Sequence, residues 1–398
     1  MTLAELAQQL FHDYEKHALG AITPFDCNHT NLQAALQGLL SRRGTPLTVQ
    51  DIGQSIEGRA IRSVSFGEGK NRILLWSQMH GDEPTGTLAL LDVLHCLART
   101  GKKEPWIQAM LGEVCVQCVP MLNPDGAERM QRQTAASIDL NRDALVFATP
   151  EARALRALHQ QFRPAFALHL HDQELSSVGS MPVPAVIALL APPMDEGCSL
   201  TSTRLRAMSV GAMVTDALSL FVKGHLATYD DTFEPRAFGD VMQSWGTSTL
   251  LIESGHWVSD PEKIFVRKLN FVAILSALYG IGKNEYQAAV LEHYTSLHRN
   301  GKRMFDVILR GAILEHSSGW SHRADVGLMV DPPMKPRSRE SAPSSLRVAV
   351  KEIGDLSTHS GLSIIDARDK KLSVEVLTLE KVLPMSDLLA ALEASGGA

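Results

Sequence analysis

The chain has 398 residues, enough for two or three domains, and 44% of them are hydrophobic, which can supply a large core. The formal net charge of −6 comes without a long basic run, so the charge pattern of a general nucleic-acid-binding protein is missing. The amino terminus lacks the basic flank of a secretory signal, and no stretch reaches the roughly 18 uninterrupted apolar residues of a membrane span. We expect a globular protein with neither nucleic-acid nor membrane partners.

The five cysteines are odd in number and scattered along the chain. This distribution argues against a disulfide framework, because such frameworks use paired cysteines in short secreted domains. A reducing, cytoplasmic location is therefore expected.

From about residue 58, strand-length apolar runs alternate with longer segments of helical period. The predicted strands are 60–66, 72–78, 113–122, 165–171 and 248–254, and the predicted helices are 85–100, 150–162, 201–224 and 260–281. This alternation predicts an α/β fold with a mixed, mostly parallel sheet flanked by helices.

The pattern of helical and β-prone runs divides the chain into three predicted parts. An N-terminal helical segment covers residues 1–45, the α/β domain covers 46–285, and a small β-rich C-terminal domain covers 300–398. The last part consists of short β-prone runs that are interrupted by a polar, Pro-rich stretch at 331–345.

Polar residues close three of the predicted strands of the sheet. His80 and Glu83 follow the second strand, His169 and His171 end the fourth, and Glu253 ends the last. Ligands of open α/β sheets bind beyond the carboxyl ends of strands, and two histidines with one carboxylate are a ligand set of catalytic zinc. His169 and His171 share one face of their strand, which leaves open which of them is a ligand and which a core histidine.

The stretch "MLNPDGAERMQRQTAASIDLNRD" at 121–143 strengthens this hypothesis. Together with His80-x-x-Glu83, a later strand-end histidine and Glu253, it resembles the zinc carboxypeptidase family of the carboxypeptidase A type. That family has a His-x-x-Glu pair, an Asn-Pro-Asp-Gly turn, an Asp-Leu-Asn-Arg segment, a histidine and a glutamate in this order. The resemblance implies a zinc carboxypeptidase-like fold and one Zn²⁺ held by His80, Glu83 and His171.

The resemblance also implies roles for other residues. Asn141 and Arg142 match the pair that holds the terminal carboxylate of the substrate, and Arg132 matches the arginine that polarises the scissile carbonyl. Glu253 matches the general base that acts on water activated by zinc. The implied activity is that of a metallocarboxypeptidase acting on a small peptide or peptide-like substrate with a free carboxylate. Tyr229 is the nearest match to a substrate-covering tyrosine, and an ordinary loop tyrosine is the alternative.

Two other functions stay open at this point. "HGDEPTG" at 80–86 and "DLNR" at 139–142 also resemble zinc-dependent acyl-amino acid deacylases of the aspartoacylase and succinylglutamate desuccinylase type. A non-catalytic module that recognises C-terminal carboxylates is the third hypothesis. The oligomeric state and the residue removed are not predicted by the sequence.

Overall fold

A computed structural model describes residues 1–100, 103–331, 346–374, 377, 379 and 381–394. The chain divides into two compact units. The larger unit comprises Met1–Asp172, Val186–Ser254 and Ile264–Arg299, and the smaller unit comprises Gln173–Ala185, Gly255–Lys263 and the described residues from Asn300 onward. Residues 332–345 of the predicted Pro-rich stretch lie outside the described residues. The domain boundaries inferred from the sequence stay predictions.

A sheet of eight strands forms the centre of the larger unit. Its strands are β1 (Thr48–Gln54), β2 (Ala60–Phe66), β3 (Asn71–Trp76), β4 (Val114–Val119), β5 (Phe166–Asp172), β7 (Ile187–Leu190), β8 (Leu226–Thr228) and β9 (Ser248–Ser254). They lie in the order β1-β2-β4-β3-β5-β9-β7-β8.

Parallel pairs occupy the middle of this sheet. β3 pairs in parallel with β4 and β5, and β5 pairs in parallel with β9, whereas β1–β2, β2–β4 and β7–β9 are antiparallel. The carboxyl ends of β3, β5 and β9 therefore meet at one edge, where ligands of such sheets bind. The predicted mixed α/β fold is confirmed.

Helices cover the sheet and extend along the larger unit. They are α1 (Leu3–Asp13), α2 (His29–Leu40), α3 (Thr85–Thr100), α4 (Pro105–Glu113), α5 (Pro124–Arg129), α6 (Pro150–Phe162), α7 (Ser202–Val222), α8 (Phe238–Ser244), α9 (Ile264–Gly282) and α10 (Glu292–Thr295). Short 3₁₀ helices add Tyr14–Lys16, Leu140–Arg142 and Glu285–Ala288.

Helices α7 and α9 are long and apolar enough to cross a membrane by length and composition alone. Of the most apolar window of α9, 83% is buried inside the protein. A helix that is apolar on all sides and covered by neighbouring elements is typical of a protein core.

A buried ion pair links the N-terminal segment to helices α3 and α9. Arg267 donates from Nε to Asp92 Oδ2 over 2.7 Å, and Tyr14 donates its hydroxyl to the same oxygen over 2.8 Å. The backbone N–H of Leu19 donates to Asp92 Oδ1 over 2.7 Å. Because each oxygen of this buried carboxylate has partners, the cost of burying the charge is offset.

The smaller unit is built mainly from strands. These are β6 (Ser177–Val178), β10 (Asn300–Gly301), β11 (Met304–Glu315), β12 (Ser321–Val330), β13 (Arg347–Gly354), β14 (Ser360–Asp366), β15 (Lys371–Ser373) and β16 (Val382–Pro384), with one helix, α11 (Met385–Ala394). β14, β11, β12, β13 and β16 form one sheet in that order, and β15 pairs with β11. The predicted β-rich C-terminal sheet is confirmed.

Candidate metal and active site

A tight turn directly after β3 places His80 and Glu83 side by side. Gln78 has a φ of 47°, so the chain reverses sharply as it leaves the strand. The side chain of Gln78 stabilises the turn, because its Nε2 donates to the carbonyl of Gly81 over 2.9 Å. Glu83 then donates its backbone N–H to the carbonyl of His80 over 3.2 Å, which closes the turn before α3.

The Asn-Pro-Asp-Gly segment is hydrogen-bonded to this turn. Asn123 donates its backbone N–H to the carbonyl of Gln78 over 3.1 Å and its Nδ2 to the carbonyl of Met79 over 3.2 Å. A Cβ on Gly81 would lie 2.0 Å from the carbonyl carbon of Gly126, so only glycine allows the two turns to approach this closely. The two motifs therefore act as one rigid platform for the histidine and the glutamate.

His80, Glu83 and His171 converge on one point. Nδ1 of His80 lies 2.7 Å from Oε1 of Glu83, and Nδ1 of His171 lies 2.7 Å from Oε2 of the same carboxylate. All three side chains are buried, and their ligand atoms lie within 4.8 Å of one another. Among the described residues, this is the group of His, Cys, Asp and Glu side chains that could hold a metal ion.

This donor set fits zinc. Two imidazole nitrogens and one carboxylate oxygen are preferred zinc ligands, and three protein ligands leave a coordination position open for water or substrate. Burial lowers the pKa of His171 despite the neighbouring carboxylate, which favours the neutral imidazole that a metal requires. Burial would raise the pKa of Glu83, but the charges and hydrogen bonds of the two histidines hold it well below its usual range.

His169, the other histidine of β5, lies outside this group. Its Nε2 is 3.1 Å from Sδ of Met79, and its ring stacks on Trp76 with a centroid distance of 4.3 Å. Burial among apolar neighbours lowers its pKa well below the ordinary histidine value. Its ring packs against that of His171, the predicted ligand, at 4.0 Å between centroids.

Asp139 and Arg132 orient His80 from its other side. Nε2 of His80 lies 3.1 Å from Oδ1 of Asp139, and Arg132 donates to Oδ2 of Asp139 from Nε over 3.1 Å and from Nη2 over 3.0 Å. A carboxylate that accepts the Nε2 proton leaves the Nδ1 lone pair for a metal. Burial would raise the pKa of Asp139, but His80 and Arg132 hold it far below its usual range.

Arg132 reaches the ligand atoms as well. Its Nη1 lies 3.1 Å from Nδ1 of His80 and 3.4 Å from Oε1 of Glu83. A guanidinium at this position faces the same point as the three predicted metal ligands. It is therefore placed to donate to an oxygen of a molecule bound there.

Asn141 and Arg142 lie in the 3₁₀ helix that follows Asp139. Oδ1 of Asn141 accepts the backbone N–H of Phe238 over 2.9 Å, so its amide nitrogen is left as a donor. Arg142 donates from Nη1 to the carbonyl of Asn141 over 2.8 Å, and its Nε lies 3.2 Å from Oε2 of Glu234. The predicted carboxylate-binding arginine therefore already contacts a carboxylate of the protein itself.

Glu253 lies on β9 directly beside His171. The two residues are paired in the register of neighbouring parallel strands, and both side chains are buried. They line one cavity of about 400 Å³. That cavity is lined by all of the site residues predicted from the sequence, namely His80, Glu83, Arg132, Asn141, Arg142, His171 and Glu253, and also by Tyr229.

Three acidic residues of the site were not identified as such from the sequence. Asp139 is part of the Asp-Leu-Asn-Arg segment, but its spacing gives no hint of its partner. Glu234 and Asp240 stand in an acidic loop that is typical of a solvated surface, yet both line the cavity. Burial raises the pKa of the Asp240 carboxyl to about 7.

Comparison with known proteins gives a consistent result. Residues 32–176 match the family model described as zinc carboxypeptidase. Over these residues the chain is similar to zinc carboxypeptidases. The predicted ligands and the Asn141-Arg142 pair lie within the matched residues, whereas Glu253 lies beyond them.

The individual relatives of the chain are distant. Carboxypeptidase 2 of Trichophyton rubrum is 34% identical over 103 residues, which cover 26% of this chain and 19% of that protein. Carboxypeptidase SOL1 of Arabidopsis thaliana is 26% identical over 186 residues, which cover 43% of this chain and 38% of that protein. The matched stretches thus span well under half of these relatives.

Solved structures share the fold at low sequence identity. A metallo-carboxypeptidase from Burkholderia cenocepacia superposes with a TM-score of 0.52 at 16% identity, covering 64% of this chain and 69% of that one. Bovine thrombin-activatable fibrinolysis inhibitor, in complex with tick carboxypeptidase inhibitor, superposes with a TM-score of 0.53 at 14% identity. This match covers 65% of this chain and 97% of that one.

Proposed function

We propose that this protein is a zinc-dependent metallocarboxypeptidase that hydrolyses the C-terminal amide bond of a peptide or peptide-like substrate. One observation carries the proposal: a buried two-histidine, one-carboxylate donor set and Glu253, on the strand next to His171, line the same cavity. The arginines Arg132 and Arg142 line it too. A metal site, a carboxylate base and cationic groups for a substrate are what amide hydrolysis at a chain end requires.

His80, Glu83 and His171 would hold one zinc ion. Such an ion supplies Lewis acidity, which lowers the pKa of a bound water toward about 7 and polarises a carbonyl group. The protein contributes the pre-formed convergence of the two Nδ1 atoms, so little reorganisation is needed on loading. It also contributes the buried surroundings, in which charges interact more strongly than in bulk water.

The side chains around this set would have distinct tasks. The Glu253 carboxylate would accept a proton from the attacking water and deliver it to the nitrogen of the departing amine. Arg132 would donate to the oxygen on which negative charge develops, an interaction that is stronger in the transition state than in the ground state. Asn141 and Arg142 would bind the terminal carboxylate and place the last peptide bond at the site.

A variant of Glu253 tests the catalytic assignment. We expect purified Glu253→Gln to keep its zinc, measured by metal analysis, and to lose about 10²- to 10⁴-fold in kcat, the usual contribution of a positioned general base. Glu196→Gln removes the same charge at an exposed position and serves as the matched control. Loss of zinc in Glu253→Gln would instead assign the residue a role in metal binding.

A substrate panel tests the reaction class. Short peptides with free C termini should be hydrolysed, and the same peptides with amidated C termini should be resistant, because the amide lacks the charge that Arg142 would bind. N-acetyl and N-succinyl amino acids belong in the panel, since faster turnover of these compounds would establish an acyl-amino acid deacylase. A zinc-loaded protein that hydrolyses no member of the panel would be a binding module.

A further inference from the structure

Two arginines line the cavity among the described residues, Arg132 and Arg142. Arg142 contacts fewer side chains of the protein than Arg132 does. The other arginine of the lining, Arg132, is already engaged with Asp139, His80 and Glu83. An anionic ligand would therefore be expected to bind Arg142. The Nε of Arg142, however, lies 3.2 Å from Oε2 of Glu234.

Glu234 has a second and better partner. Arg236 donates from Nε to Oε1 of Glu234 over 2.8 Å and from Nη2 to Oε2 over 2.7 Å, a two-pronged contact. The backbone N–H of Arg236 adds a third hydrogen bond to Oε1 over 3.1 Å. Glu234 thus contacts Arg142 through one oxygen and Arg236 through both, so it stays fully paired if Arg142 is withdrawn.

The loop that carries Glu234 is fastened to the segment that carries Arg142. Ala144 donates its backbone N–H to the carbonyl of Arg236 over 3.1 Å, and Phe238 donates its own to Oδ1 of Asn141 over 2.9 Å. These contacts hold the glutamate beside the guanidinium. A guanidinium has two edges on which it can bind a carboxylate with two hydrogen bonds. On Arg142, Glu234 therefore occupies the edge that contains Nε.

We propose that Glu234 is an internal competitor for the carboxylate of the substrate. In the free protein it occupies the Nε side of Arg142, and a bound carboxylate displaces it from there while it remains anchored on Arg236. The proposal rests on the proposed function, because it takes Arg142 as the group that binds the terminal carboxylate. Its consequence is that ligands with a charged carboxylate bind more weakly than the cavity would otherwise allow, whereas neutral ligands are unaffected.

The experiment measures binding in zinc-loaded protein that carries Glu253→Gln, so that turnover does not disturb the titration. The probes are an N-acetyl dipeptide with a free carboxylate and the same dipeptide as its C-terminal amide, titrated by calorimetry. We expect Glu234→Gln to bind the free carboxylate about three- to tenfold more tightly, as for removal of a partly exposed competing charge, with no change for the amide.

Two further variants sharpen the result. Arg236→Gln removes the anchor and leaves Glu234 to Arg142 alone, so the free carboxylate should bind about threefold more weakly. Glu196→Gln, with the same charge change at an exposed position, should leave both affinities as they are. Opposite shifts for Glu234→Gln and Arg236→Gln exclude general damage to the cavity, which would weaken binding in both variants.

The possible outcomes are separable from those of the proposed function. Unchanged or weaker binding of the free carboxylate in Glu234→Gln overturns the proposal, and so does the absence of measurable binding in every variant. Equal tightening in Glu196→Gln overturns it as well, because the effect would then come from net charge. If the expected shifts are found but the protein with an intact Glu253 hydrolyses no peptide, the competitor role stands and the peptidase function falls.

Discussion

Replacing Asp240 by asparagine is expected to change how the stability of the protein depends on pH. Asp240 is 7% exposed, and the charge of Arg142 only partly offsets the effect of its burial. Burial, reinforced by the nearby charge of Glu234, raises the pKa of its carboxyl from the ordinary value of 3.8 to about 7. Oδ1 accepts the backbone N–H of Glu234 over 3.1 Å, a hydrogen bond that an asparagine oxygen can also accept.

The sign and size of the effect follow from proton linkage. Between pH 3.8 and about 7 the folded protein keeps a proton on Asp240 that the unfolded chain has lost, so stability falls as pH rises through this window. The slope is about 1.4 kcal/mol per pH unit, which sums to about 4 kcal/mol at pH 8. Asp240→Asn carries no such charge, so its free energy of unfolding should exceed that of the wild type increasingly from pH 4 to 7.

Urea unfolding followed by circular dichroism, at half-unit steps from pH 4 to 8 on metal-free protein, measures the difference between the two proteins. Other groups titrate in this range, but they are common to both and cancel in the difference. Asp369→Asn makes the same substitution at an exposed position and is the control. A pH-independent difference for Asp240→Asn would refute the reasoning, because the carboxyl would then titrate alike in both states.

Two further pairs of substitutions test the close approach of the two turns and the choice of ligands. Gly81→Ala would place a Cβ 2.0 Å from the carbonyl carbon of Gly126, so we expect loss of zinc and a lower melting temperature, whereas Gly38→Ala, with nothing within 4 Å, should be neutral or stabilising. Metal analysis and thermal unfolding measure both variants, and retention of zinc at full stability in Gly81→Ala would contradict the close approach of the turns. His171→Ala should lose stoichiometric zinc while His169→Phe retains it, and the reverse pattern would exchange their roles.

Much of the fold could be predicted from the sequence. Strand β2 and helices α3 and α6 coincide with the predicted runs 60–66, 85–100 and 150–162, because apolar periodicity reports which face of an element is buried. Strand β1 was missed, since Thr48–Gln54 is largely polar and its residues are exposed or half-buried at the edge of the sheet. The strands β7 and β8 were missed because they are too short to show a clear apolar pattern.

The candidate site, like the fold, could be predicted from the sequence only in part. The order of His80, Glu83 and a later strand-end histidine can be read from the sequence alone. Polar residues at the ends of buried strands indicate that these side chains share one edge of the sheet. The sequence left two histidines of one strand face open, and His171 was preferred over His169 by family resemblance alone. Only the packing separates them, because it places one nitrogen on Glu83 and the other against Met79.

The sequence by itself determined the central strands, the longer helices of the sheet domain and the chemical identity of the groups that could bind a metal, because these depend on local spacing and periodicity. Tertiary structure decided that Glu234 contacts Arg142, that Asp139 contacts His80, and that Asp240 is buried. The physical reason is that charge pairing and burial depend on distances between segments far apart in the chain, which no local pattern records.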